Sequence, residues 1–124
     1  PYLQVGGGKI SDNKHKAIAR HEIHADLEDL IREASLVLKN GGKFYLVHRS
    51  SRMAEAIFLM EKYNLAPKRF RPVYPRKDVN SDVFLIEARL NGGIGLKIEA
   101  PIVVYKENSD EYTAEVKRMY GIDE

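Results

Sequence analysis

Residues 26–48 read DLEDLIREASLVLKNGGKFYLVH, and this stretch decides the fold class. Asp26 is the predicted N-cap of a helix, with Asp29 at the third helical position in the manner of a capping box. Apolar residues then recur with helical spacing until a double glycine ends the helix: Leu27, Leu30, Ile31, Ala34, Val37 and Leu38. The apolar run 44–47 follows directly and predicts a strand buried on both faces, as in a parallel sheet.

The rest of the chain continues the alternation of helices and strands. We predict a second helix that is capped by Ser50 or Ser51 and ended by 64–67. Two strands at 69–74 and 83–90 follow it, and then a turn at 91–95 and a short edge strand at 101–105. A last helix begins at Ser109 or Asp110. The chain thus divides into a mobile substrate loop at 1–22, a core at 23–90 and a C-terminal extension at 91–124. A buried parallel strand needs neighbours on both sides, and few are present. We therefore expect missing sequence upstream and an exposed sheet edge through which the chain self-associates.

Composition indicates one small globular domain. The chain has 124 residues, of which 44% are hydrophobic and 31% are charged. It has no cysteine, which excludes disulfide and thiolate chemistry and fits a reducing, cytoplasmic compartment. The apolar runs are too short to span a bilayer, and no signal-peptide pattern opens the chain, so we expect no membrane partner.

The charge is unevenly distributed although the net charge is only +2. Residues 1–20 carry four basic residues and one acidic residue, and residues 43–77 carry nine basic and two acidic ones, so the remainder is strongly acidic. Basic blocks are typical of polyanion binding, and the alternative is a solvated charged face.

Three groups of cations are candidate RNA contacts. The first group lies in the glycine-containing loop and suits phosphate contacts, the alternative being an unstructured terminus: Lys9, Lys14, Lys16 and Arg20. The second follows the buried strand, where α/β sheets place ligands: Arg49 and Arg52. The third accompanies Lys68 and is interleaved with Phe70 and Tyr74, the alternative being an edge strand protected by charge: Arg69, Arg71, Arg76 and Lys77.

Two other patterns do not predict ligand sites. His21, Glu22 and His24 have one residue too few between the histidines for the zincin pattern, so we predict no metal. Gly92, Gly93 and Gly95 follow a strand but do not lead into a helix, which favours a turn over a phosphate-binding loop.

Several longer stretches resemble one bacterial family. These are AIARHEIHADLEDLIREASLVLKNGGKFYLVHR at 17–49, MEKYNLAPKRFRPVYPR at 60–76 and EYTAEVKRMYG at 111–121, while Pro1-Tyr2 resembles the end of an Asn-Pro-Pro-Tyr motif. The family is that of the tRNA adenine-N6 methyltransferases acting beside the anticodon of a valine tRNA. The resemblance implies an α/β fold, namely the C-terminal half of a class I, Rossmann-like methyltransferase sheet with a terminal antiparallel hairpin and a C-terminal helix.

The resemblance also implies a chemistry and its residues. The cofactor would be S-adenosyl-L-methionine, the substrate would be tRNA, and Pro1 and Tyr2 would be the catalytic-motif residues in this chain, with Tyr2 stacking on the target adenine. The motif's Asn and the cofactor-binding turn would lie upstream, so no cofactor-binding residue is predicted here and the chain alone should be inactive. Two alternatives remain open, a non-catalytic RNA-binding module and a non-functional degradation product that still folds.

Overall fold

A computed structural model describes residues 16–18 and 26–121 of the chain. These residues form one mixed sheet of six strands and three α-helices. The helices are α1 (Leu27–Val37), α2 (Met53–Lys62) and α3 (Ala114–Met119). The strands are β1 (Lys16–Ile18), β2 (Lys43–Arg49), β3 (Leu65–Tyr74), β4 (Val83–Leu90), β5 (Lys97–Ile98) and β6 (Ile102–Val103).

Helix α1 begins where the sequence predicts but ends at Val37, before the double glycine, because Leu38 is already extended. The carboxylate of Asp26 accepts a hydrogen bond of 2.8 Å from the backbone amide of Asp29, which satisfies one of the free N–H groups of the first turn. The predicted apolar stripe faces the core, since Leu27, Leu30, Ile31, Ala34 and Leu38 are buried. The chain then turns through Gly41, whose φ of 82° favours glycine.

The central feature of the sheet is that β4 lies between β2 and β3. Strand β4 pairs antiparallel with β2, from Lys43–Arg89 to Arg49–Val83, and antiparallel with β3, from Leu65–Leu90 to Val73–Val83. Strands β2 and β3 are therefore parallel to each other but not adjacent. On the far side of β3, the short strands β5 and β6 pair parallel with it one after the other. The antiparallel hairpin predicted for β3 and β4 is confirmed.

Three predicted boundaries were wrong, and each has a local reason. A 3₁₀ turn at Ser50–Arg52 precedes α2, because the Ser50 hydroxyl bonds to Ser81 across the sheet instead of capping the helix. Strand β3 begins at Leu65 rather than Arg69, since Asn64 adopts a left-handed turn with φ of 65° and the chain reverses at once. Helix α3 begins after Thr113 rather than at Ser109 or Asp110, because the Ser109 hydroxyl accepts from the Glu111 amide in a separate turn.

The hydrophobic core lies on one face of the sheet. Helices α1 and α2 pack there against alternate residues of β2 and β4, among which Phe44, Leu46, Phe84 and Ile86 are buried. The prediction that β2 is buried on both faces was wrong for the described residues. Its other face carries Tyr45, which is partly exposed, and Val47, which is 40% exposed, because α1 and α2 both pack on the opposite face.

Strand β1 lies at the edge of the sheet, beside β2. It pairs parallel with Lys43–Tyr45 of β2, and these three residues fall within the stretch 1–22 that the sequence predicts as a loop. Pairing is favourable because the edge of β2 presents backbone N–H and C=O groups that need partners. The sequence predicts that the edge of β2 is exposed, but β1 covers part of that edge. Within the described ranges, no helix is both long and apolar enough to cross a membrane.

Candidate functional site

The carboxyl ends of β2 and β3 lie close together, on either side of the first residue of β4. Val83, the first residue of β4, is paired with Arg49 on one side and with Val73 on the other, so the ends of all three strands lie side by side. We call this region the carboxyl edge, defined by residues 49–52, 74–77 and 81–83. Four of the predicted RNA-contacting cations belong to it: Arg49, Arg52, Arg76 and Lys77.

A pair of serine hydroxyl groups ties the carboxyl edge together. The Ser81 hydroxyl lies 2.9 Å from the Val73 carbonyl and 3.0 Å from the Val83 carbonyl, and it lies 2.9 Å from the Ser50 hydroxyl. Because Ser81 has a single hydroxyl proton and two carbonyl acceptors, Ser50 is the donor between the two hydroxyls. The Ser50 amide also donates to the Asp82 carbonyl at 3.0 Å. These contacts fix the loop after β2 against the start of β4.

Three of the four cations at this edge pair with carboxylates. Arg52 Nε lies 2.9 Å from Glu55 Oε1, and Lys77 Nζ lies 3.2 Å from Glu107 Oε1. Arg76 Nη2 lies 2.9 Å from Asp110 Oδ1, although Asp110 itself remains 98% exposed. Such exposed ion pairs contribute little stability, so a phosphate group can replace the carboxylate at small cost. Arg49 is exposed at the end of β2.

Arg76 is held by more than its ion pair. Its guanidinium donates to the Ser109 carbonyl at 2.6 Å and to the Lys106 carbonyl at 3.3 Å, and its Cζ lies 4.9 Å from the ring centroid of Tyr105. The side chain therefore connects the end of β3 to the segment 105–110. This arrangement fixes the guanidinium in one position.

Arg69 and Arg71 lie elsewhere, in the middle of β3 on the face without α1 and α2. Arg69 bridges Glu87 at 3.0 Å and Glu99 at 2.9 Å, while Arg71 reaches Glu115 of α3 at 2.6 Å. The hydrogen bond from Arg69 lowers the pKa of the Glu99 carboxyl. These contacts join β3 to β4, β5 and α3.

The predicted cluster of cations and aromatic residues is thus divided in the structure. Phe70 packs in the core against Phe84, with ring centroids 5.7 Å apart, so it is not presented for stacking on a base. Lys16 lies in β1 beside Lys43, at the end of β2 opposite to Arg49. The other predicted residues lie outside the described part of the chain: Pro1, Tyr2, Lys9, Lys14 and Arg20.

Sequence reasoning missed two features, one beside the carboxyl edge and one on the face of the sheet without α1 and α2. One is a stack of three tyrosines, Tyr105, Tyr112 and Tyr120, which an isolated antiparallel bridge between 105 and 112 brings together. Tyr112 and Tyr120 are eight residues apart, a helical spacing that puts both on one side of the predicted last helix. Tyr105 precedes that helix, and no sequence signal joins it to the other two. The other is a groove of about 350 Å³ on the second face of the sheet, between Tyr45, Val47 and Leu85 and the C-terminal Met119. The alternation of Tyr45 and Val47 with buried neighbours was the only signal for it.

The glycine-containing turn after β4 does not have the form of a phosphate-binding loop. The glycine-containing segment 92–95 follows β4 and leads to β5 rather than to a helix, and Gly93 has open space where a Cβ would stand. Nothing there forms the close backbone cradle that a nucleotide-like cofactor needs. Within residues 16–18 and 26–121, no group of three or more His, Cys, Asp or Glu side chains is placed to hold a metal ion.

Comparison with known proteins bears on the fold. No protein-family model and no curated protein sequence matches the chain. A crystal structure described as a predicted O-methyltransferase, protein Atu636 from Agrobacterium tumefaciens, matches with a TM-score of 0.77. The chain has a methyltransferase-like α/β fold. The sequence identity is 23%, and the match covers 86% of this chain and 50% of the other, so the chain spans about half the length of that protein.

Proposed function

We propose that this chain is part of an S-adenosylmethionine-dependent methyltransferase whose acceptor is the exocyclic N6 of an adenine in tRNA. The observation that carries the proposal is the sheet in which β4 lies between the parallel strands β2 and β3, together with the likeness of the whole fold to a predicted methyltransferase. The stretches at 17–49, 60–76 and 111–121 supply the choice of tRNA and of an adenine amine, because they resemble the tRNA adenine-N6 family.

The carboxyl edge supports a polyanionic substrate. Ligands of open α/β sheets bind beyond the carboxyl ends of the strands, and this is where Arg49, Arg52, Arg76 and Lys77 lie. In our proposal these cations contact phosphates of the RNA near the reacting base, while the exposed carboxylates beside them are displaced. Arg69 and Arg71 would contribute to RNA binding only where RNA reaches across β3, since Arg69 pairs with Glu87 and Glu99. Arg71 pairs with Glu115.

Tyr2 is the residue that we propose to hold the target base. The exocyclic amine of adenine is a poor nucleophile because its lone pair is delocalised into the ring, so the base must be held out of its own stack and aimed at the methyl donor. An aromatic ring parallel to the base does this without forming a bond. Pro1 would restrict the backbone before Tyr2 through its fixed φ, and the cations Lys9, Lys14 and Arg20 would meet RNA phosphates. Lys16 of β1 would do so only where the RNA reaches the end of the sheet opposite to Arg49.

The 124 residues alone should not transfer a methyl group. The resemblance puts the cofactor-binding turn upstream, the segment 92–95 forms no such turn, and the predicted O-methyltransferase that the chain matches is about twice as long as the match. A longer protein that contains this chain should therefore be assayed with radiolabelled S-adenosylmethionine and unmodified bulk tRNA, followed by nucleoside analysis. We expect N6-methyladenosine. A 2′-O-methylated nucleoside would instead favour the chemistry named for the structural neighbour, and no labelled nucleoside would refute both.

Substitution of Tyr2 tests its role in the same assay. Tyr2→Ala should lower kcat/KM by about 5- to 100-fold, which corresponds to the loss of one base–aromatic stack. Tyr2→Phe keeps the ring and should retain most of the activity. Equal losses in both variants would show that the hydroxyl group, and not stacking, is what the reaction needs.

A non-catalytic RNA-binding module is the second candidate. It is favoured by the cations of the carboxyl edge and by the glycine-containing segment 92–95, which does not form a cofactor-binding turn. It predicts salt-dependent tRNA binding by the longer protein without methyl transfer. The methylation assay separates the two candidates directly.

A further inference from the structure

The tyrosine stack is an ordered structure that ends at the protein surface. The Tyr105 and Tyr112 ring centroids are 5.6 Å apart with an interplanar angle of 28°, and those of Tyr112 and Tyr120 are 5.5 Å apart with an angle of 30°. The Arg76 guanidinium lies on Tyr105 at one end. Tyr120 forms the other end and remains 67% exposed. Arg76, Tyr105, Tyr112 and Tyr120 therefore form a series of stacked planar groups with one open end, which we call the tyrosine stack.

Backbone contacts hold the stack in place. The Lys106 amide donates to the Glu111 carbonyl at 2.8 Å, and the Thr113 amide donates to the Val104 carbonyl at 2.9 Å, so the chain reverses between Tyr105 and Tyr112. The Thr113 hydroxyl also donates to the Val103 carbonyl at 2.6 Å. Val116 of α3 is buried, which anchors the helix that carries Tyr120. A planar surface fixed in this way loses little conformational entropy when a ligand stacks on it.

Two cations lie close to the open end of the stack in the sequence. The last turn of α3 is basic, with Lys117 and the exposed Arg118 next to Met119 and Tyr120. Lys117 pairs with Glu111 at 2.7 Å, while Arg118, two residues before Tyr120, is exposed. Aromatic rings flanked by cations are the combination that binds unpaired nucleotides, since every base has a π-face and every linkage carries a negative charge.

We propose that the open face of Tyr120 binds an unpaired nucleobase of an RNA, separate from the base that is methylated. This inference rests on the proposed function for its choice of RNA as ligand. The base stacks on Tyr120 as a further layer of the tyrosine stack, and Arg118 contacts the adjoining phosphate. The stack thereby anchors a single-stranded segment of the substrate on the C-terminal part of the chain.

The test measures binding of the 124-residue chain to a fluorescein-labelled single-stranded RNA of about ten nucleotides, a length typical of such sites. A spacer oligonucleotide of the same length that has phosphates but no bases is the second ligand. Tyr120→Ala should raise the Kd for RNA by about 5- to 100-fold and leave the Kd for the abasic spacer unchanged. Tyr120→Phe should bind RNA like the unmodified chain, because it keeps the ring.

Phe58→Ala is the matched control, since Phe58 is a similarly exposed aromatic residue at 66% but lies on α2 and outside the stack. It should leave both Kd values unchanged. The inference is overturned if Tyr120→Ala binds RNA as well as the unmodified chain, if it weakens RNA and spacer equally, or if the unmodified chain does not prefer RNA to the spacer. Thermal unfolding of each variant shows whether the fold is kept.

Different results would refute the proposed function and the inference about the tyrosine stack. Unchanged RNA binding by Tyr120→Ala in a protein that forms N6-methyladenosine refutes only the role of the stack. Base-dependent binding through Tyr120 in a protein that methylates no nucleic acid refutes only the methyltransferase activity.

Discussion

At the scale of single residues, many of the charges within residues 26–121 are arranged in pairs. The basic block at 43–77 predicts a positive surface, but Arg69 and Arg71 each contact at least one carboxylate from a later part of the chain. Glu87, only 8% exposed, is tolerated in the sheet because Arg69 supplies a guanidinium 3.0 Å away. A sequence gives the number of cations, while their partners become known only from the fold, since Glu99 and Glu115 lie 30 and 44 residues away along the chain.

Acid should weaken the contact between Arg69 and Glu99. The hydrogen bond from Arg69 lowers the pKa of Glu99 below its ordinary value of 4.5, so the folded state favours the carboxylate. The stabilisation is therefore present above about pH 4.5 and is lost as the pH falls through the lower folded-state pKa. We expect Glu99→Gln to reduce the free energy of unfolding in urea at neutral pH, with a smaller reduction at about pH 3.

A matched control for this experiment is Glu33→Gln, on the exposed side of α1. It should change the unfolding free energy little at either pH. A loss for Glu99→Gln that is the same at both pH values would mean that the carboxylate charge is not what stabilises this contact.

At the scale of elements, local sequence patterns predict some parts well and others not at all. Helix α1, β2 and β4 could be predicted because their caps, glycines and apolar runs are contained within the elements themselves. Strand β5 could not, since Lys97 and Ile98 are both exposed and pair with β3 only because the chain passes beside it. The position of β4 between β2 and β3 depends on long-range pairing, to which no local period corresponds.

The candidate site, too, could be predicted from the sequence only in part. Arg49 and Arg52 lie at the carboxyl edge because the end of β2 could be predicted, while their contact with a ligand stays a prediction. The interleaving of cations with aromatics in β3 was misleading, because the pleat turns Phe70 into the core and the bulge between Pro67 and Arg69 shifts the alternation. The tyrosine stack could be predicted only in part, since the helical spacing of Tyr112 and Tyr120 says nothing of Tyr105, which lies in the loop before the predicted helix.

Because β4 packs against α1 and α2, the loss of a large buried side chain from β4 should destabilise the fold. Phe84 is fully buried at the centre of the core and contacts Phe70. Phe84→Ala should lower the free energy of unfolding by about 3–5 kcal/mol, because it removes a large apolar side chain and leaves a cavity. The exposed Phe58→Ala should change it by less than about 0.5 kcal/mol in the same urea titration. Similar losses for both variants would contradict the placement of β4 in the core.

At the scale of the whole molecule, the two faces of the sheet differ. One face is covered by α1 and α2, and the other carries the groove bordered by Tyr45, Val47 and Leu85. The chain corresponds to about half of the methyltransferase that it matches, and the resemblance assigns the cofactor site to the other half. We therefore propose that the activity requires a protein larger than these 124 residues.

Calorimetric titration with S-adenosylhomocysteine, the product of methyl donation, tests this division. The 124-residue chain should give no binding heat, and a longer protein that includes the upstream half should bind with a Kd on the order of micromolar, about 8 kcal/mol. Micromolar binding by the 124 residues alone would show that a complete cofactor site exists within them and that the proposed division is wrong.

The position of β4 has a consequence for synthesis on the ribosome. Translation delivers β2 first, then β3 and lastly β4, yet β4 is the strand that joins the other two. A nascent chain that has emerged only as far as residue 82 contains β2 and β3 but lacks the strand that pairs with both. The pairing of 43–49 with 83–90 cannot be complete until Leu90 has left the exit tunnel, so this part of the sheet is completed late.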